Sequence, residues 1–361
     1  MDEVGQLKAK AEETGIKIGG ALRFNYRWTE FDEEQKSRGG DNLFDIFRLN
    51  MDGEYKDVII SAEYRWYSYM SVIHHGWIGY NFSDDLQGQL GVTKVPFGLL
   101  PYASHNWWFG VPYYIGLSDD YDMGLKFVYT PGPFDVQLAF FKNAEWGSAG
   151  NLERYSYDVV KALGQENEET NQANARVAYK WEHSSTCSTE FGVSGLWGQL
   201  YNSATDDSGN HWATAAHING QYGPLNLQFE WARYMYSAEN PADMTGTDIV
   251  MGAYADAYLV ANAGNVYVAN IAYDVPVSWG PISNLTFYND FSLLVKDNDS
   301  YHNSAINTLG CLVTAGPVYT YIDLVMGDDM IYLGGPRDSL AQGEDQDGLN
   351  YLFNINFGYY F

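Results

Sequence analysis

The sequence predicts an all-β protein, a transmembrane antiparallel β-barrel of sixteen strands, with eighteen as the alternative count and a long third loop folded into the lumen. Three observations carry this. Segments of about ten residues alternate with period two, the signature of a membrane-spanning strand. Short turns alternate with connections that are mostly longer. One parity is apolar and aromatic in segment after segment, while the other carries Arg, Lys, Asp, Glu, Asn and Gln.

Residues 1–14 are expected to be a helical or disordered lead-in, since "VGQLKAKAEE" at 4–13 is polar and helix-forming. The barrel is expected over 15–361. In "IKIGGALRFNYRW", Ile16, Ile18, Gly20, Leu22, Phe24, Tyr26 and Trp28 alternate with Lys17, Arg23, Asn25 and Arg27. In "IFRLNMDGEY", Phe47, Leu49, Met51 and Tyr55 alternate with Arg48, Asn50, Asp52 and Glu54. In "VIISAEYRW", Val58, Ile60, Ala62, Tyr64 and Trp66 alternate with Ile59, Ser61, Glu63 and Arg65. Turn-forming residues place tight turns at Lys56–Asp57, Ser83–Asp85, Pro131–Pro133, His183–Ser188, Gly223–Pro224, Pro276–Ser283 and Ala315–Pro317. Loops fall near 30–41, 68–71, 96–122, 143–170, 201–210, 237–264, 297–303 and 329–347. Seven turns and eight loops join sixteen strands and leave both ends on the short-turn side. The closing "LNYLFNINFGYYF" is the last strand. Leu349, Tyr351, Phe353, Ile355, Phe357, Tyr359 and Phe361 face lipid, and it pairs with the first strand.

A soluble sandwich also alternates, but buries its apolar face and turns the polar one outward. Here Trp28, Trp66, Trp181, Trp212 and Trp231 sit on the apolar parity. In lipid only helices and closed barrels satisfy the backbone, and no apolar run reaches the roughly 18 residues of a membrane helix. The formal net charge of −26, with 16% aromatic residues, fits acidic loops rather than a disordered chain. It also disfavours a nucleic-acid partner, which needs a basic footprint. Cys187 and Cys311 have neither disulfide-framework nor zinc-site spacing. No secretory leader opens the sequence, and Met1 before an acidic stretch fits a mature chain behind an introduced start. Membrane lipid is an expected partner, and lipopolysaccharide another, through divalent ions at the acidic segment 328–347 (Asp328, Asp329, Asp338, Glu344, Asp345, Asp347).

The polar parity places Lys17, Arg23, Arg27, Arg48, Arg65, Lys126, Arg176 and Lys180 in the lumen, all from the first half of the chain. Only Arg233, Lys296 and Arg337 follow. Because a barrel closes in sequence order, this asymmetry predicts one basic wall, which would concentrate anions. Inward acids are scattered: Asp52, Glu54, Glu63, Asp135, Glu182, Glu190, Glu230, Asp290 and Asp323. Pairing with them, as Arg65 with Glu63 or Lys180 with Glu182, is the alternative role for the cations.

The strand "GVTK" stops at Pro96, which cannot donate to a ladder. The long aromatic loop that follows would narrow the pore. Its candidate residues are Tyr102, His105, Trp107 and Trp108, with Tyr113 and Tyr114, and the acids Asp119, Asp120 and Asp122 facing the basic wall. By simple alternation Lys94 shares the outward parity of Leu90 and Val92. The motif Gly91, Lys94, Pro96, Phe97 and Gly98, followed by a long third loop in a barrel ending in Phe, resembles the phosphate-selective porin family and its dicarboxylate-uptake relatives. The resemblance implies sixteen-stranded, homotrimeric outer-membrane channels of Gram-negative bacteria. Residues 95–125 contain no Lys or Arg, so the family's basic constriction, and phosphate selectivity with it, is not carried over.

The expected function is passive diffusion of small polar or charged solutes or ions through a wet lumen, without cofactor or catalysis. A barrel that sheathes a partner protein and a barrel hydrolase are the alternatives. None of His74, His75, His105, His183, His211, His217 and His302 lies in G-x-S-x-G or H-E-x-x-H, and no metal-ligand spacing appears. The pair His74–His75 is expected at the membrane interface.

Overall fold

Period-two segments that are greasy on one face can only be stable in lipid if every backbone group finds a neighbouring strand. A computed structural model shows that arrangement. It describes residues 15–244, 246–344 and 348–361; the lead-in and the acids Asp345 and Asp347 lie outside the described residues. The barrel strands are β1 (Lys17–Thr29), β2 (Asp41–Tyr55), β3 (Val58–Trp66), β4 (Ser71–Ser83), β5 (Leu86–Lys94), β6 (Tyr121–Tyr129), β7 (Phe134–Ala144), β9 (Asn167–Ser184), β10 (Cys187–Asn202), β11 (Asp207–Tyr222), β12 (Leu225–Ser237), β15 (Ala263–Trp279), β16 (Ile282–Lys296), β17 (Ser304–Ala315), β18 (Val318–Asp328) and β19 (Asn350–Tyr360). These sixteen close into one antiparallel ring in sequence order. The predicted turns and loops join these strands in the predicted order, several of them overlapping the strand ends by a few residues, as 143–170 and 201–210 do.

At the seam β1 pairs with β19, placing Leu22 opposite Tyr359, Phe24 opposite Phe357 and Trp28 opposite Phe353. Gly20 and Phe361 exchange backbone hydrogen bonds of 2.9 and 3.1 Å. Phe24, Phe357 and Tyr359 are about half exposed, at 46%, 47% and 48%, and belong to an apolar outer belt. Asn354 and Asn356 on the opposite face are fully buried.

The external loops contain structure that alternation does not reveal. Helix α1 (Glu33–Arg38) lies in the first loop, and α2 (Val111–Tyr114) in the third. A three-stranded sheet joins β8 (Asp158–Val159) of loop 4 to β13 (Asp248–Ala253) and β14 (Asp256–Ala261) of loop 6. Loops 3 (95–120), 4 (145–166), 6 (238–262) and 8 (329–349) share one apolar core. In it Val111, Ile115, Tyr157, Met251, Tyr258, Met330 and Leu340 pack with inward residues of the later strands, among them Leu200, Tyr234, Val266 and Leu294. The lumen is therefore filled on one side by its own loops.

Register shifts break the alternation at several places, and three bulges, in β2, β4 and β7, bear on the lumen. Arg23 pairs with Ile46 and Phe24 with Phe44, so Asp45 is the extra residue on β2. Glu63 pairs with His75 and Tyr64 with Ile73, so His74 is extra on β4. Gly124 pairs with Phe141 and Met123 with Asn143, leaving Lys142 extra on β7. Each extra residue re-aims side chains. Both His74 and His75 consequently face inward, not to the membrane interface: their Nδ1 atoms are 2.9 Å apart, and His75 Nε2 is 3.0 Å from inward Ser61.

A different device turns Lys94 inward. Gly91 has φ 138°, and a Cβ there would lie 2.3 Å from the carbonyl oxygen of Gly76. Before it Leu90 is 64% exposed; after it Val92 is buried against Val72, Tyr121 and Tyr155. Only glycine fits this conformation and approach. Gly91→Val is expected to destabilise the barrel by at least about 2 kcal/mol, seen as a lower temperature for the shift from folded to unfolded migration on a denaturing gel.

Candidate functional site: a basic and aromatic lumen

A cavity of about 1160 Å³ lies inside the barrel. It extends from Tyr69, Tyr254, Asp256 and Tyr332 near the long loops to Tyr319 and Tyr360 near the short-turn end. One side is the wall of β1 to β3, carrying Arg23, Arg27, Arg48 and Arg65. The other is loop 3, with Tyr102, Trp107, Trp108, Phe109, Tyr113 and Tyr114.

Inward carboxylates of the later strands fix the position of loop 3. Asp290 on β16 accepts the backbone N–H groups of His105 (2.6 Å) and Asn106 (3.0 Å) and the Asn106 side-chain amide (2.8 Å). Glu230 on β12 accepts the N–H of Leu99 at 2.6 Å, and Ser292 accepts that of Val111 at 2.8 Å. Asn270 donates to the Ala103 carbonyl at 3.0 Å. A loop without regular structure would otherwise leave these donors and acceptors unpaired in a dry interior.

His105 completes the anchor. Its Nδ1 is 2.7 Å from Asp290 and its Nε2 is 2.7 Å from Asn226 Oδ1. The Asn226 amide nitrogen donates to Asn219, Gly220 and Gln221, which turns its oxygen toward the imidazole. Both ring nitrogens thus face acceptors. Burial alone would lower the His105 pKa, but the hydrogen bond and charge of Asp290 outweigh it and raise the value.

The cations named from the sequence divide into two groups. Arg23 (2.8 Å from Asp45), Arg27, Arg48 (3.3 Å from Glu63) and Arg65 (2.5 Å from Glu63) line the cavity. Arg176 is 1% exposed and does not line it: it donates to the Gly98 carbonyl, Asp135 and Glu190, each at 2.8 Å, and so clamps the start of loop 3. Lys126 is buried and donates to the Lys94 carbonyl at 3.0 Å. Lys17 and Lys180 are exposed and outside the cavity lining, Lys180 lying 3.8 Å from Glu182.

Aromatic faces hold the cavity arginines. Arg27 lies 4.9 Å from the Trp108 ring, Arg65 4.4 Å from Tyr155, Arg48 5.3 Å from Tyr360 and Arg23 5.9 Å from Trp107. Such contacts are worth roughly 0.5–2 kcal/mol each. Lys94 joins this site, pairing with Asp119 and the Pro101 carbonyl and lying over Tyr102 and Tyr121. Asp119 also accepts from Tyr155 at 2.5 Å.

Asp120 and Asp122 do not face the basic wall; they are buried beside Asp158 of loop 4. Pro96 ends β5 and Phe97 enters the loop core. Alternation misses Asp45 and His74 because bulges carry them. It also misses Tyr155, Tyr157, Tyr254 and Tyr332, because they come from loops whose docking is tertiary.

The Ser61–His75 contact is not a nucleophile–base pair. Ser61 gives its proton to Asp52 at 2.6 Å, whereas a base must accept it.

No protein-family model matches the sequence, and no curated relative matches it. Solved structures do. The outer membrane channel DcaP of Acinetobacter baumannii aligns with a TM-score of 0.63 at 12% identity, over 96% of this chain and 97% of that one. A loop L8 deletion mutant of OmpT, an outer membrane protein of Vibrio cholerae, aligns at 0.60 and 12%, over 96% and 99%. The anion-selective porin from Comamonas acidovorans aligns at 0.57 and 12%, over 97% and 100%. At these identities the likeness shows the fold. The chain shares the closed sixteen-stranded β-barrel fold of these outer-membrane proteins.

Two outcomes are expected from the anchor. Asp290→Ala removes four hydrogen-bond contacts and is expected to cost on the order of 3 kcal/mol, read as faster chymotrypsin cleavage within 97–109. The His105 pKa is raised in the folded state, so its stabilisation is full below about pH 6.5 and is lost as pH rises through the raised value. Cleavage of the wild type is expected to accelerate over that rise, and His105→Asn to remove the dependence.

Proposed function

We propose that the protein is a passive outer-membrane diffusion channel for small polar or charged solutes, narrowed by loop 3 and weakly selective for anions. The observation that carries the selectivity is Arg27. It lines the cavity on the face of Trp108, and no carboxylate among the described residues lies within ion-pair distance of it. Around it, Arg23, Arg48, Arg65 and Lys94 are matched by only Asp45, Glu63 and Asp119. Asp256 at the mouth is bonded to Arg337 at 2.8 Å. The cavity therefore keeps a positive excess, and charge lining a pore sets which ions pass.

The passage offers rows of phenol rings and hydroxyls opposite guanidinium groups. This suits a solute with an anionic end and a flat or hydroxylated body. A homotrimer fits the architecture, and the OmpT structures include a trimer form. A sheath around a partner protein would need an open lumen, whereas loop 3 is fastened across this one.

Planar-bilayer recordings under a salt gradient test the reading. The wild type is expected to give a reversal potential of the sign set by anion preference. Arg27→Glu with Arg48→Glu should move it to the cation side. An unchanged reversal potential rejects the basic wall, and absence of conductance from folded protein rejects the channel.

A further inference from the structure

We propose that Asp120, Asp122 and Asp158, with Glu145 beside them, form a Ca²⁺ site that fastens the end of loop 3 to loop 4 at the rim of the barrel. This inference stands apart from the channel reading, because none of these residues lines the cavity.

Carboxylate oxygens of Asp120, Asp122 and Asp158 lie within 4.8 Å of one another, a spacing compatible with oxygens sharing one ion at about 2.3–2.6 Å. The three are 8%, 2% and 1% exposed, and Glu145 is 5% exposed. Their oxygens are only partly used. Tyr121 N–H donates to Asp120 Oδ1 at 2.8 Å, Gln172 to Asp122 Oδ2 at 3.2 Å, and Tyr155 and Ser156 N–H to Glu145 Oε1 at 3.1 and 3.2 Å.

Asp122 Oδ1, Asp158 Oδ1 and Glu145 Oε2 are buried without a hydrogen-bond partner. Glu145 supplies the independent pointer: it lies outside the aspartate trio, and its Oε2 is buried without a hydrogen-bond donor, 3.7 Å from the Arg154 Nη1 that also lies 3.0 Å from Asp158 Oδ2. Among the described residues Arg154 is the one cation in ion-pair contact with the group. Glu169 adds a fifth carboxylate, accepting from Val159 N–H at 3.2 Å.

Four buried carboxylates around one guanidinium, with the partly buried Glu169 beside them, cannot all stay charged in a dry site without more positive charge. Either protons or a cation must supply the balance. The donors are hard oxygens with no imidazole or thiolate in the group, which disfavours zinc. Mg²⁺ retains its waters and suits few side-chain ligands, whereas Ca²⁺ takes 6–8 oxygens in flexible geometry. A bound ion would join loop 3 (Asp120), the first turn of β6 (Asp122) and loop 4 (Asp158). It would thereby hold the adjoining Asp119, Tyr121 and Tyr155 at the cavity.

Tb³⁺ luminescence sensitised by the nearby tyrosines tests the site on the purified, folded barrel. A saturable signal displaced by Ca²⁺ more readily than by Mg²⁺ is expected, with affinity at least about tenfold weaker in Asp122→Asn/Asp158→Asn. Equal titrations of wild type and variant, or failure of Ca²⁺ to displace Tb³⁺, overturn the proposal. Thermal unfolding of the wild type gives a second reading that needs no variant. Millimolar Ca²⁺ should raise the melting temperature relative to EDTA at neutral pH. Coincident melting in Ca²⁺ and EDTA, with stability falling as pH rises, would mean that protons hold the cluster and would overturn it.

Discussion

Everything in this molecule depends on closing the ring of backbone hydrogen bonds. In hydrocarbon an unpaired N–H or C=O costs several kcal/mol, so β1 and β19 cannot remain edges. The exchange between Gly20 and Phe361 carries the pairing to the last residue. Closure in turn fixes two faces. The outer one must be apolar along every strand, and the inner one is free to carry whatever the lumen requires.

The inner face is divided by chain order. The first strands bring arginines; the later ones bring Glu230, Asn270, Asp290 and Ser292, which receive the backbone of loop 3. Packing that loop against the later half leaves the cavity against the earlier half. The cationic wall and the docking wall are thus two outcomes of one sequence asymmetry. Arg176 stands at the boundary. It is a first-half cation, but it lies on β9, where the Gly98 carbonyl and two carboxylates surround it.

Strand number, turn positions and lipid face were legible because each rests on local, repeated signals: period two, turn residues, and an apolar parity that persists to Phe361. The arginines of β1 to β3 were legible for the same reason. What alternation could not show is where it breaks. A single extra residue at Asp45 or His74, or one glycine at φ 138° in Gly91, reverses the side on which a neighbour lies. Lys94 therefore moves from the lipid parity to an ion pair with Asp119. Loop placement was illegible for a different reason. Asp119, Asp120 and Asp122 look equivalent in sequence, yet Asp119 meets Lys94 and Tyr155 while the other two turn toward loop 4. Only tertiary docking separates them.

The aromatic lining resolves an apparent conflict in a chain of net charge −26. An arginine held by a carboxylate is fixed in place but neutralised, and a passing anion sees little of it. An arginine resting on a ring is also fixed and partly shielded from water, yet its charge is not cancelled. Arg27 on Trp108 is the clearest instance, and Trp108 belongs to the loop that the later strands anchor. The wall's charge and the loop's position are then coupled. Displacing loop 3 would remove the surface that holds the guanidinium, as well as widening the passage. Charge on the outer loops acts through water and is screened within about 8–10 Å at physiological salt. Charge inside a narrow, ring-lined cavity is screened much less, so on the proposed channel reading the few arginines there can outweigh many acids outside it.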